Sequence, residues 1–280
     1  MAFLTLLITW INIATNALGK HAFSMIAVLP GWLSNTIISA VLGVIILLLI
    51  KYTSNQKAIS QAKDYIKANM LALKLFKDSL AVTFISLGKL FKGVFLRLGL
   101  MLKPLLIMFI PFTLIVCQLG LWYQARPMTT GEEAMVILQL AGEIGSPMPN
   151  VAIQPTSAMD VTVGPVRAVS NRQVFWIIKA KENGTHNLTF NIDGQQVEKQ
   201  LVIGEGFKRV SLERPGQNAY DIMLHPMEEP LKSDSIIQSI SIEYPDRISK
   251  TSGTDWWVGY LTVVSMAFAV ICMPIFKVKI

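Results

Sequence analysis

Cysteine and histidine are scarce in this chain of 280 residues, which has two cysteines and three histidines. Both cysteines, Cys117 and Cys272, fall inside apolar runs, so the sequence predicts no disulfide framework. The histidines, His21, His186 and His225, are far apart in sequence, and none forms the i, i+4 pair of a helical zinc site. We therefore predict that the protein has no metal site.

Signatures of catalysis are missing as well. The chain contains no G-x-S-x-G, no P-loop and no G-x-G-x-x-G motif. Glu132-Glu133 and Glu228-Glu229 have the chemistry for acid–base catalysis, but adjacent acids in loops are usually just solvated, and we interpret both pairs so. Gly204-Glu205-Gly206 indicates a loop rather than a phosphate cradle. The sequence predicts a protein that is not an enzyme and binds no cofactor.

Charge is sparse and unevenly placed. Only 15% of the residues are charged, against about a quarter in soluble domains, and 52% are hydrophobic. Lys51–Lys103 holds ten basic and two acidic residues, whereas Pro127–Asp255 holds eleven basic and sixteen acidic ones. Because the basic residues lie beside apolar segments, anionic lipid headgroups are their predicted partner, and we expect no nucleic acid to bind.

Three apolar segments predict transmembrane helices, at residues 33–51, 98–124 and 255–276. The first has about eighteen residues before Lys51, apolar apart from four near its start, and is long enough to span roughly 27 Å. If the basic segment 52–97 and the tail 277–280 are cytoplasmic, every crossing satisfies the positive-inside rule. Residues 127–252 are then extracytoplasmic. Since this outer domain has no cysteine and no cleaved signal is evident, we expect a bacterial inner membrane.

Residues 1–32 have the pattern of an external helix that lies in the membrane interface. Its apolar face would comprise Phe3, Leu7, Trp10, Ile11, Ala14 and Leu18, and its polar face Thr5, Thr9, Asn12, Asn16 and Lys20. A cleaved signal peptide is the rival interpretation, but the basic leading segment of such peptides is absent. We expect Pro30-Gly31-Trp32 to end this helix. The predicted interface anchors are Trp10, Trp32, Trp122, Tyr123, Trp256 and Trp257.

The basic segment 52–97 has apolar residues at helical spacing. A helical hairpin in the cytoplasm and a helix on the membrane surface both remain open. No proline or glycine occurs between Lys51 and Leu87, so Asp78-Ser79 and Gly88 are the expected break points. The basic residues of this arm are Lys57, Lys63, Lys67, Lys74, Lys77, Lys89, Lys92 and Arg97.

Residues 127–252 change to short runs of β-forming residues separated by turns, which predicts an antiparallel β-sandwich. The predicted strands are 133–141, 160–163, 173–179, 187–192, 197–203, 208–212 and 235–244. Asn183-Gly184 and Asp193-Gly194 are predicted two-residue hairpin turns. The fold class is thus a membrane protein with α and β parts: three transmembrane helices, a basic cytoplasmic arm and an extracytoplasmic β-sandwich.

The order of these elements resembles the three-span core of the Oxa1/YidC/EMC3 superfamily of membrane-protein insertases. Lys103-Pro104-Leu105-Leu106 followed by Ile110-Pro111 is similar to a stretch in its EMC3/TMCO1-type branch. The resemblance implies a hydrophilic groove in the membrane, for which the candidates here are Asn35, Ser39, Lys103 and Gln118. It also implies nascent membrane proteins as partners.

Two structural interpretations compete with the groove: Asn35 as a helix cap and Gln118 as a partner in an interhelical hydrogen bond. In the corresponding functional alternative, the protein is a scaffold or accessory subunit of a membrane complex and binds a protein partner through its β-sandwich. In a third hypothesis, the protein is a sensor that passes a signal from the β-sandwich to the basic arm. An open polar groove between the three spans on the cytoplasmic side would favour the insertase. Spans that close this groove with apolar side chains would favour the scaffold.

Overall fold

The structure is a computed structural model that describes residues 2–76, 78–143 and 145–278. The chain divides into two compact units. The first comprises the described residues of 1–35 and 114–260, and the second those of 36–113 and 261–280. The fold is α plus β, as predicted, and three of the described helices are long and apolar enough to cross a membrane.

The helices are α1 (Ala2–Ala22), α2 (Gly31–Thr53), α3 (Gln56–Leu75), α4 (Leu80–Tyr123), α5 (Ala219–Leu224) and α6 (Trp257–Phe276), with a 3₁₀ turn at Ser24–Ala27. The three apolar ones are α2, α4 and α6. Pro30 does not end the first helix, so that expectation is wrong. The backbone N–H groups of Leu33 and Ser34 instead donate to the Pro30 carbonyl at 3.0 Å, which starts α2.

In the second unit, α3 and the first part of α4 are joined by residues 76–79, and they form a helical hairpin. The side chain of Asn55 caps α3 by accepting from the Ala58 N–H at 3.0 Å. A β-carbon on Gly93 of α4 would lie 2.9 Å from side-chain atoms of Tyr65 and Ile66 of α3, so the two helices approach each other at this point. The chain breaks at Asp78-Ser79, as predicted. The break expected at Gly88 is wrong, because α4 continues through this residue.

The boundary predicted between residues 97 and 98 falls inside α4, a single helix of 44 residues. Pro104 and Pro111 are both inside it. In the same unit, α2 and α6 approach so closely that a β-carbon on Gly43 would lie 2.3 Å from the Ser265 carbonyl oxygen. Residues 279 and 280 of the predicted tail lie outside the described residues.

The first unit contains two antiparallel sheets. The strands are β1 (Glu133–Leu140), β2 (Val151–Ile153), β3 (Met159–Ala168), β4 (Gln173–Ala180), β5 (Gly184–Ile192), β6 (Gln195–Ile203), β7 (Glu213–Arg214) and β8 (Ile237–Ile242). Their order is β3-β4-β1-β8-β7 in the five-stranded sheet and β2-β5-β6 in the three-stranded sheet. One hydrophobic core contains side chains of both sheets, and Trp176 of β4 meets Phe190 of β5 edge-on at 5.7 Å.

Several strand predictions need correction. Residues 208–212 are not a strand, because Val210 donates its N–H to the carbonyl of Leu121 at the end of α4. The short strand β2 was not predicted. Asn183-Gly184 is not a hairpin turn, since β4 and β5 belong to different sheets. Asp193-Gly194 is confirmed: it joins β5 to β6, and both residues have positive φ, 47° and 89°.

Candidate functional site

The solvent face of the five-stranded sheet carries an apolar surface, which we call the outer patch. It comprises Met135, Ile137, Val163, Val166, Phe175 and Ile177. Two rows cross three strands: Val163 pairs with Ile177 and Ile177 with Met135, while Val166 pairs with Phe175 and Phe175 with Ile137. Val163 and Val166 are 47% and 51% exposed, and the other four are half-buried.

Two bulges in β3 build this surface. The register shifts between Val161 and Val163, so that Val161 pairs with buried Ile178 and Val163 with Ile177 on the outer face. A second shift separates Val163 from Val166. β3 is an edge strand, but bulges and the missing N–H of Pro165 hinder pairing with a further strand. A partner would therefore contact side chains of this face rather than extend the sheet.

Polar residues border the outer patch. The next pair on one side of the two rows is Glu133 with Lys179, and on the other side it is Gln139 with Gln173. An apolar centre with a polar rim is the anatomy of protein–protein interfaces. A solvated face of an antiparallel sheet is usually polar, so an apolar one is a candidate interaction site.

Sequence reasoning missed the outer patch, although a signal was present. The runs Ala134–Leu138 and Val174–Ile178 are apolar at every position. A strand with one wet face alternates apolar and polar residues, so an unbroken apolar run indicates that both faces of the strand are covered. In β1 and β4 the core covers one face, and the second apolar face is the outer patch.

The candidate groove residues do not share one open site. Asn35 is fully buried, and its amide donates to the Thr251 and Trp257 carbonyls at 2.5 and 3.3 Å. Gln118 is buried too, donates to the Thr15 hydroxyl at 3.5 Å and accepts from Arg209 at 3.4 Å. In the second unit, Ser39 is fully buried, whereas Lys103 is exposed on α4.

The basic arm is largely solvent-exposed on the hairpin. Lys57, Lys63, Lys67, Lys74, Lys89 and Lys92 are exposed and Arg97 is half-buried, while Lys77 lies outside the described residues. Near the hairpin's turn, large apolar side chains are exposed as well, among them Leu71, Leu75, Leu80 and Phe84. Lysines mixed with exposed apolar side chains are typical of a surface that meets lipid headgroups.

The predicted interface anchors fall into two groups. Trp10, Trp32 and Trp256 are exposed, in keeping with a place at the membrane boundary. Trp122, Tyr123 and Trp257 are buried in the protein. Tyr123 stacks obliquely on Trp257 at 5.9 Å and shares a hydrogen bond of 2.7 Å with the Ser34 hydroxyl.

Helix α1 packs with its polar face inward. Asn12 and Thr5 are buried, and the Asn12 amide donates to the carbonyl of Ile222 in α5. Asn16 accepts from Arg209 and donates to the Met227 carbonyl at 3.4 Å. The exposed side is apolar and includes Leu6, Leu7, Trp10, Ile13 and Leu18. An apolar face turned outward is what lipid, rather than water, stabilises.

The interpretation of Glu132 and Glu228 as simply solvated is wrong. Glu132 forms an ion pair with Arg126 at 2.7 Å, and Glu228 is the less exposed of the two. Its carboxylate forms an ion pair with the fully buried Lys199 and accepts from the Ser211 hydroxyl and from the Gln200 N–H at 3.0 Å. Burial lowers the pKa of Lys199, and the charge of Glu228 opposes that effect. Because Lys199 and Ser211 are inaccessible, this cluster is structural.

Two titratable groups near this cluster, His225 and Tyr244, also have shifted pKa values. Burial lowers the pKa of His225, which lies 3.7 Å from Glu213, although the charges of Glu213 and Asp221 act in the opposite direction. Burial raises the pKa of the Tyr244 hydroxyl, because it disfavours the charged form of this group. This hydroxyl accepts from the Val202 N–H at 3.0 Å. Among the described residues, no group of three or more His, Cys, Asp or Glu side chains is placed to hold a metal ion.

Comparisons of the chain with protein-family models, curated proteins and solved structures give no match. Its function has to be inferred from its own surfaces.

Proposed function

We propose that the protein is a non-enzymatic scaffold or accessory subunit of a membrane complex, and that it binds a protein partner through its β-domain. The outer patch carries this proposal. It offers six apolar side chains in two ordered rows with polar pairs on either side of them, and bulges in β3 place Val163 and Val166 in register with these rows. Its uncovered apolar area suits a partner with a complementary apolar face.

The rest of the proposal concerns placement in the membrane. α2, α4 and α6 would cross the bilayer of a bacterial inner membrane, with the basic hairpin and the carboxyl terminus in the cytoplasm. The two sheets, with side chains in a common core, would form an extracytoplasmic sandwich. The outward apolar face of α1 supports a position for this helix in the outer interface.

An insertase or assembly factor related to the Oxa1/YidC/EMC3 superfamily is the second candidate. The observation that favours it is the basic hairpin, because its second helix continues without a break into the proline-bearing apolar part of α4. A cytoplasmic arm of this kind can recruit a ribosome, a nascent chain or anionic lipid. The buried positions of Asn35, Ser39 and Gln118 weigh against a groove lined by these residues.

Site-specific crosslinking in actively translating membranes separates the two candidates. A photoreactive residue replaces Val163 on the outer patch, Val161 on the other face of the same strand, or Lys103 on α4. The scaffold predicts one discrete protein adduct from position 163 and none from position 161. The insertase predicts adducts between position 103 and newly made membrane proteins.

Two outcomes would overturn the scaffold. In the first, the photoreactive residue at position 163 crosslinks only to lipid or to nothing. In the second, positions 161 and 163 give equal amounts of protein adduct. Lipid adducts alone from position 103 would contradict the insertase.

A further inference from the structure

The start of α2 and the end of α4 meet at Phe207. A β-carbon on Gly31, the first residue of α2, would lie 2.5 Å from the Phe207 ring. Tyr123, the last residue of α4, meets the same ring edge-on at 5.7 Å. The guanidinium carbon of Arg247 lies 3.8 Å from the centre of the Phe207 ring. Arg247 is therefore held where the proposed spans leave the bilayer.

Arg247 lines a cleft of about 320 Å³ together with Arg126, Thr129, Glu132 and the loop Gly204-Glu205-Gly206. Arg126 already has a counterion, because both of its terminal nitrogens donate to Glu132 at 2.7 and 2.8 Å. Lys208 approaches the loop from the side and donates to the Ile203 carbonyl at 3.1 Å. Glu205 is exposed at the rim.

Arg247 lacks such a counterion. Among the described residues, no carboxylate lies within 4.0 Å of its guanidinium, which donates only to the Gly206 carbonyl, at 3.3 Å. Its Nε is buried and has no hydrogen-bond partner in the described structure. Burial and the nearby charge of Arg126 both lower the pKa of Arg247. A half-buried cation without a counterion is costly, and a bound anion would relieve that cost.

We propose that this cleft binds a phosphate group, with Arg247 as its principal ligand. A planar guanidinium forms paired hydrogen bonds with phosphate oxygens, and the stacked ring of Phe207 fixes its orientation. A lipid phosphodiester and free inorganic phosphate share this chemistry. Nearby exposed apolar side chains favour the lipid: Ile248 is fully exposed, and Trp32 and Trp256 are 57% and 62% exposed.

The test uses the full chain, purified in a neutral detergent. Phosphatidylglycerol or inorganic phosphate is titrated against the thermal midpoint, and lipid retained by the protein is counted by native mass spectrometry. Arg247→Gln removes the cation, and Arg247→Lys keeps the positive charge but lacks the paired N–H donors of a guanidinium. Lys250→Gln is the matched control, since it deletes an exposed cation three residues away.

We expect phosphatidylglycerol to stabilise the natural chain and the Lys250 variant equally. Its apparent affinity should fall about tenfold to a hundredfold in Arg247→Gln and by less in Arg247→Lys. If inorganic phosphate protects as well as the lipid, the site stands and its ligand is soluble phosphate. Equal lipid affinity of folded Arg247→Gln and Lys250→Gln would overturn the proposal. So would an absence of stabilisation by both probes. None of these outcomes bears on the outer patch.

Discussion

Val161 and Val163 are two residues apart on β3, yet they face opposite sides of the sheet. In a regular strand, residues i and i+2 share a face. Here a bulge inserts one residue, and Val161 pairs with Ile178 while Val163 pairs with Ile177. The bulge therefore adds Val163 to the outer patch, and the two valines become a matched pair for mutation.

The double variant Val163→Lys with Val166→Lys should dissociate the proposed complex. Two charges in an apolar interface should weaken partner binding at least about tenfold. Because both valines are about half exposed, the free energy of unfolding should change by under about 1 kcal/mol. Size-exclusion chromatography of gently solubilised membranes would show the complex. Val161→Lys is the control, and an equal loss of the complex with it would contradict a patch on the outer face.

The buried ion pair predicts an asymmetry between its two partners. Glu228→Ala leaves the Lys199 charge buried without its counterion, which typically costs about 3–5 kcal/mol. The thermal midpoint should then fall by roughly 10 °C. Lys199→Met leaves Glu228 without its counterion too, but this carboxylate is 12% exposed and still accepts from the Ser211 hydroxyl and the Gln200 N–H. Because water and these donors solvate the remaining charge, Lys199→Met should cost less than Glu228→Ala. Thermal unfolding of both variants in the same detergent checks this, and equal losses would contradict it.

The pair of Arg126 and Glu132 predicts a dependence of stability on acid pH. Hydrogen bonding from Arg126 lowers the pKa of Glu132 from its ordinary value of 4.5 to about 2. The pair therefore stabilises the fold fully above pH 4.5, and this contribution is lost as the pH falls toward 2. Glu132→Gln should flatten that part of the stability profile, measured as thermal midpoint against pH. Glu133→Gln, which removes the exposed neighbouring acid, should leave the slope unchanged.

Local signals were sufficient for much of the fold. The Asp193-Gly194 turn was predictable because both residues tolerate positive φ, and the three apolar helices because their runs are long. Residues 208–212 misled because their alternating pattern resembles a strand, whereas Val210 bonds to the end of α4. That partner lies 89 residues earlier in the chain, so local sequence could not indicate it.

The two candidate sites depend on long-range placement in the same way. The rows of the outer patch exist only in the observed register, and a one-residue slip would turn Ile177 inward. The phosphate cleft unites Arg126, the loop at Gly204 and Arg247, which are far apart in sequence. Glycines at 204 and 206 indicated a loop, but only the fold shows that an unpaired arginine lies beside it.

The contact between α2 and α6 gives a prediction about the apolar helices. The Gly43 backbone touches the Ser265 carbonyl, and small residues at such contacts let apolar helices approach closely. Gly43→Val would force the helices apart and should cost about 1–3 kcal/mol, measured as a lower thermal midpoint in detergent. Gly99 in α4 has nothing within 4 Å of its β-carbon position, so Gly99→Ala should be neutral or slightly stabilising. If Gly43→Val were as well tolerated as Gly99→Ala, the close packing of α2 on α6 would be refuted.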